Sequence, residues 1–172
     1  MLTIPKFLLS HFRTNHAGET GAVFIYKGIL LVSKNQEIIK FAKDHLDTEL
    51  GHLKKINQII PKNKKSKLIF LWKIFGFLTG FIPSLFGRKF IYATIFSVES
   101  FVETHYQEQI NMLSKRKEHH QMKIFINDLM HDEINHKKQA MQKLGEFNRL
   151  HKIWGKIVTI GSLTAVKISK II

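Results

Sequence analysis

ELGHLKKIN (residues 49–57) and DEINH (residues 132–136) each carry a glutamate followed three positions later by a histidine, as Glu49/His52 and Glu133/His136. On an α-helix that step keeps both side chains on one face, so each pair is able to reach a common metal site. With nine Glu and ten His in 172 residues, about half of one such pair arises by chance, and the spacing alone is only suggestive. The neighbours add weight. Leu46, Leu53 and Ile56 share the face of the first pair, and Ile126, Leu129, Ala140 and Leu144 that of the second, so both pairs are expected to point into a core.

A carboxylate on a buried face is costly unless it is paired, protonated or bound to metal. Working outward, single glutamates occupy the apolar faces of two more helical stretches. Glu19 lines up with Ala22, Val23, Tyr26 and Leu30, and Glu99 with Ile95, Phe96, Val102 and Tyr106. Glu103, one turn past Glu99, is the competing carboxylate on that helix. The order Glu, Glu-x-x-His, Glu, Glu-x-x-His is a twofold internal repeat, with gaps of 30 residues from Glu19 to Glu49 and 34 from Glu99 to Glu133. This is the ligand pattern of the di-iron carboxylate four-helix bundles. Four carboxylates contribute −4 and two ferrous ions +4, so the filled centre is near neutral and the metal-free cluster repels itself.

The rest of the chain agrees with an all-α bundle. Prolines stand only at Pro5, Pro61 and Pro83, and apolar residues between them recur at three and four positions without long alternating runs. The expected helices cover about 14–33, 35–60, 68–86, 88–114 and 117–148, with a sixth running to the C-terminus, broken near Gly155 and Gly161. At 172 residues the chain is expected to form one domain over residues 1–172, burying roughly 70% of its unfolded surface. No cysteine is present, which excludes disulfide frameworks, iron–sulfur clusters and thiol nucleophiles and leaves His and carboxylate as the metal ligands. No GxGxxG dinucleotide fingerprint occurs.

A net charge of +14 predicts attraction to an anionic partner. LIFLWKIFGFLTGFIPSLF (68–86) is about 28 Å long as a helix, close to a hydrocarbon core of about 30 Å. Lys73 lies within it, Gly76 and Gly80 are expected to loosen it, and Pro83 to break its last part, so it is read as lying on the bilayer rather than spanning it. The preceding Lys62, Lys64, Lys65 and Lys67 suit lipid headgroups. The apolar, lysine-dotted stretch at 152–172 repeats the theme. Two such segments favour an anionic membrane surface over nucleic acid. Asp128/His131 is read as an exposed pair, His119 and His120 as a solvated helix start, and His105 as a side chain able to hydrogen-bond a ligating carboxylate.

HAGETGA at 16–22, ELGHLKKIN at 49–57, LWKIFGFLTG at 71–80, VES...HYQEQI at 98–110 and DEINH at 132–136 together resemble the demethoxyubiquinone hydroxylase family, over nearly the whole chain. The resemblance implies a ferritin-like bundle holding two iron ions on Glu19, Glu49, His52, Glu99, Glu133 and His136, with Glu99 chosen over Glu103 because it follows Val98. Asn15, Thr20 and Thr104 depart from the residues common in the family at those places, and none of them is a ligand position. It further implies oxygen-dependent hydroxylation of a polyprenyl methoxy-benzoquinone in ubiquinone synthesis, at a membrane, with a homo-oligomer or accessory protein as further partners. No transit segment is evident before HAGE, and the expected location is the cytoplasmic face of a bacterial inner membrane as a peripheral protein. The alternative function is a ferritin-like iron-storage or oxidant-scavenging protein; it needs no lipid-facing segment.

Overall fold

The computed structural model describes residues 2–172. Six α-helices follow one another: α1 (Leu9–Val32), α2 (Gln36–Ile59), α3 (Ile69–Leu85), α4 (Arg88–Ser114), α5 (His120–Leu144) and α6 (Arg149–Ile171). Helices α1, α2, α4 and α5 form the bundle, α1 against α2 and α4 against α5. Helix α3 lies along α1, and α6 along α4. The architecture is an all-α, ferritin-like bundle with two added helices on one side.

Two buried apolar clusters divide the bundle along its length. One gathers Ile29, Phe41, Tyr92, Ile95 and Leu144; the other gathers Leu8, Phe12, Ile56, Ile126 and Leu129. Between them sits a buried polar layer that includes all four inward glutamates. Each apolar end holds the helices in fixed register, so the polar side chains of the middle layer are placed by packing they do not themselves provide.

Local chemistry sets the helix ends. The Asn35 side chain accepts from the backbone N–H of Glu37 (2.9 Å) and Ile38 (3.2 Å) and starts α2. Asn148 caps α6 by accepting from His151 N–H (2.9 Å). Helix α5 stops at Leu144, four residues short of the expected 148, because Gly145 takes φ 69°. Helix α1 begins at Leu9, five residues before the expected start, since Leu8 and Phe12 are fully buried and packing extends the helix backward.

Three expectations about glycine and proline are corrected. Gly76 and Gly80 do not loosen α3. They are its contact seam, since a Cβ on either would overlap the α1 backbone at Gly21 or Ile25, and one on Gly28 would overlap α3 at Phe77. Small residues four apart let two backbones approach this closely. Helix α6 runs unbroken through Gly155 and Gly161, and Gly155 is where a side chain would collide with Ser97. Pro83 lies inside α3, which continues to Leu85.

Helices α3 and α6 leave large apolar side chains in solvent: Phe70, Phe75 and Leu85 on α3, Ile153, Ile157 and Ile160 on α6. Among the described residues no helix is long and apolar enough to cross a membrane. At one end the two added helices are tied together, where Lys67 N–H donates to the Ile172 carbonyl (3.0 Å). There the Arg13 guanidinium donates to the carbonyls of Lys64 (3.1 Å) and Ile171 (3.1 Å).

Candidate metal centre

Each bundle helix contributes to the polar layer at its midpoint. Glu19 comes from α1, Glu49 and His52 from α2, Glu99 from α4, and Glu133 and His136 from α5; all six are buried. Their ligand atoms fall into two groups, each with every atom within 4.8 Å of the others: Glu19, Glu49, His52 and Glu133 in one, Glu49, Glu99, Glu133 and His136 in the other. Glu49 and Glu133 belong to both. That sharing is the geometry of two cation positions side by side, with two glutamates between them and one Glu and one His at each outer end.

The side chains approach one another without satisfying one another. His136 Nδ1 lies 3.2 Å from Glu49 Oε1 and 3.3 Å from Glu133 Oε2, yet neither contact is aligned as a hydrogen bond. Glu19 Oε2, Glu49 Oε1, Glu133 Oε2 and His136 Nδ1 are buried with no hydrogen-bond partner. Orphaned buried donors and acceptors of this kind are rare in folded proteins. Four of them converging from three helices, α1, α2 and α5, fit an oxygen- and nitrogen-ligated divalent cation pair.

Electrostatics give the same result. Burial, then the charges of Glu133, Glu19 and Glu99, pushes Glu49 well above the ordinary carboxylate range. Burial and Glu133 do the same to Glu99, and burial raises Glu133 to about 7 against a hydrogen bond from His52. For Glu19 burial acts upward too, but the hydrogen bond and charge of His52 outweigh it and the net shift is downward. His52 is raised to about 11, its burial overcome by hydrogen bonds to Glu133 and Glu19. Without cations the layer holds protons; divalent cations would displace them.

Two tyrosines brace the outer glutamates. Tyr106 on α4 donates to Glu19 on α1, and Tyr26 on α1 donates to Glu99 on α4 (3.2 Å). Each tyrosine stands seven residues, or two turns, after the glutamate of its own helix, so the crossed arrangement repeats the twofold pattern of the ligands. In the sequence Tyr26 and Tyr106 share the apolar faces of Glu19 and Glu99, but their pairing across helices depends on α1 and α4 being placed together, which sequence spacing does not state. Asp132, beside Glu133, was likewise missed, and it accepts from His52 Nε2 at 3.0 Å.

His105 does not reach a ligating carboxylate. Its ring stacks between Phe101 and His11, and Nε2 has no partner, because one residue before Tyr106 the helix turns it toward the cavity wall instead. Glu103 turns away from the centre and pairs with Lys137. Asp128 and His131 are exposed, and α5 begins at His120.

A cavity of about 580 Å³ joins this layer to the outside. Glu19, Glu49, Glu99 and Glu133 line its inner end, and its walls are apolar, with Trp72 and Phe75 from α3 and Ile157 and Ile168 from α6. It lies over α1 and α4, between the helices that carry Glu19 and Glu99, and is roofed by α3 and α6.

A ferritin-like bundle with paired Glu-x-x-His motifs, two single glutamates and an apolar cavity ending on them defines a class of protein: the carboxylate–histidine helical bundles that act on apolar compounds. Comparison narrows the class. The family model described as ubiquinone biosynthesis protein COQ7 matches residues 6–169. The chain belongs to that family. It is 29% identical over 160 residues to the NADPH-dependent 3-demethoxyubiquinone 3-hydroxylase, mitochondrial, of Dictyostelium discoideum, covering 91% of this chain and 74% of that protein. To the mouse protein of the same description it is 26% identical over 162 residues, 92% of this chain and 75% of the other. The 3-demethoxyubiquinol 3-hydroxylase of Rhodospirillum rubrum is 27% identical over 137 residues, which span 77% of this chain and 64% of that protein.

Proposed function

We propose that this chain is an oxygen-dependent monooxygenase that hydroxylates a polyprenyl methoxy-benzoquinone, demethoxyubiquinone, in ubiquinone biosynthesis. The observation that carries the reading is the apolar cavity, which ends on four glutamates and is roofed by helices with apolar outer faces. A storage bundle has no use for such a passage.

In this reading Glu49 and Glu133, which belong to both ligand groups, would be shared between two iron ions, Glu19 with His52 would serve one of them, and Glu99 with His136 the other. Iron held there would supply the activation of dioxygen, one atom of which enters the ring while the other leaves as water with two electrons and two protons from an external reductant. The chain's own part is placement. Ile25, Trp72, Val98 and Val158, all buried, form a water-poor sleeve for ring and prenyl tail, leaving the ring against the glutamates. Tyr106 and Tyr26 hold Glu19 and Glu99, each by a hydrogen bond to one carboxylate oxygen. The reductant comes from outside the chain.

The same reading places the protein peripherally on a membrane. The exposed faces of α3 and α6 enter the interface, and Lys62, Lys64, Lys65 and Lys67, in the segment before α3, meet anionic headgroups. Substrate then reaches the cavity from the bilayer without crossing water.

Quinone mass spectrometry tests this in a bacterium deleted for its own hydroxylase. The gene should convert the accumulated demethoxy precursor into ubiquinone, while Glu133→Ala and His136→Ala should not. Equal rescue by either variant would refute the metal-centred reaction.

A further inference from the structure

The centre is twofold in its ligands and in its tyrosines, but not in what stands behind its histidines. Behind His52, Nε2 donates to the carboxylate of Asp132 (3.0 Å). A carboxylate only accepts, so this bond keeps the proton on Nε2, turns Nδ1 toward Glu133 (3.1 Å) and Glu19 (3.5 Å), and makes that nitrogen a stronger donor to a cation. Asp132 stands immediately before Glu133. The repeat puts Thr48 in the mirror place, immediately before Glu49. Thr48 offers His136 nothing, because its hydroxyl donates to the Asp44 carbonyl one turn back (3.3 Å). His136 is instead covered by the His45 ring, stacked at 3.9 Å and 15°. Stacking fixes a ring plane but fixes no proton and adds no negative charge.

We propose that Asp132 is a positioning residue that makes the two cation positions unequal, the Glu19/His52 position binding more tightly and filling first and the Glu99/His136 position binding more weakly. This rests on the metal-centre reading above and goes beyond it, since the six ligands alone are symmetric and assign no order of filling. The functional consequence is a division of labour: one ion is retained through turnover, and the position beside Tyr26 and Glu99 is the exchangeable one.

The test is an anaerobic titration of the full-length, metal-free chain with Co²⁺, followed by calorimetry and by the visible absorption of bound Co²⁺. Wild type should show two steps separated by at least about tenfold in Kd. Asp132→Asn should weaken the tight step by about 10- to 100-fold and leave the other in place, so that the two merge. Asp132→Glu should retain two steps. The mirror variant Thr48→Asp should tighten the weak step about tenfold. Asp132 is 41% exposed, so the metal-free Asp132→Asn chain should melt as wild type does, and Thr48→Asp supplies an independent arm if it does not. Two steps in wild type with both constants unchanged in Asp132→Asn, or both lowered equally, overturns the asymmetry alone. No Co²⁺ binding by wild type overturns the metal centre itself.

Discussion

The middle of the bundle and the outer surface of α3 and α6 invert the ordinary distribution of residues in opposite ways. The first buries four carboxylates and two histidines in a layer with orphaned polar atoms. The second leaves Phe70 72% and Ile160 63% exposed. Either is unfavourable in an isolated soluble chain, and in the proposed reading the two are relieved by different things, cations in the centre and lipid at the surface. The cavity of about 580 Å³ runs between them. On the proposed reading the protein is completed from two sides, and the substrate path is the line joining them.

The largest effect that would break this comparison is on the centre. Glu99→Ala should abolish metal retention and activity, and Glu103→Ala, which removes only a partner of Lys137, should keep both; elemental analysis and a hydroxylation assay read the two. The reverse result would mean that the polar layer is not the site.

A comparably severe effect is expected at the seam between the two regions. Gly80→Leu places a side chain where the α1 backbone at Ile25 already stands, so α3 must lift from α1. Thermal melting should show a loss of several degrees, since overpacking costs about 1–3 kcal/mol or more and a chain of this size loses about 2–4 °C per kcal/mol. An unchanged melting temperature would show that α3 does not pack there.

The surface should respond in smaller steps. Replacing Lys62, Lys64, Lys65 and Lys67 by Gln should weaken binding to vesicles containing anionic lipid by about 1 kcal/mol per lysine at low salt, and less as salt rises. Alkaline carbonate should release the protein from membranes. Resistance to that wash would indicate a spanning segment.

The most diagnostic effect is on pH. Glu133 titrates at about 7 in the folded chain instead of an ordinary 4.5, and Glu49 and Glu99 move in the same direction, chiefly through burial. A carboxylate with a raised folded pKa costs nothing below its unfolded pKa; the cost grows as pH climbs toward the folded pKa and is then constant. The raised pKa of His52 adds stability below 6.5 that fades toward about 11. Above about pH 6.5 the metal-free protein should therefore weaken as pH rises; below it His45 and His105, each held down to about 3 chiefly by burial, act the other way, since a buried neutral histidine costs stability as pH falls under its unfolded value. Cations displace the carboxylate protons, so the stabilisation they confer should grow as pH rises, reaching about 4 kcal/mol when free metal is 1,000-fold above Kd. Calorimetric melting with chelator and with Mn²⁺ at several pH values checks both slopes.

How much of this was readable in the sequence depended on whether a contact is written along one helix or between two. The six candidate ligands could be found because a buried charge on an otherwise apolar helical face stands out against a 3.6-residue period, and because the pattern occurs twice. Asp132 could not, since it is half-exposed and adjacent to Glu133, and only the placement of α5 beside α2 brings it to His52. Gly76 and Gly80 were read as weak points in a helix when they are its closest contacts, because a glycine's lack of side chain reads identically whether it serves freedom or proximity. The start of α1 was missed because buried Leu8 and Phe12, not a capping residue, extend it.

The most direct test of a centre built on two shared glutamates is iron content after anaerobic Fe²⁺ loading and desalting. Two irons per wild-type chain and none in Glu49→Ala is the predicted result, because Glu49 serves both positions. A single iron per wild-type chain, or two retained by Glu49→Ala, would contradict it.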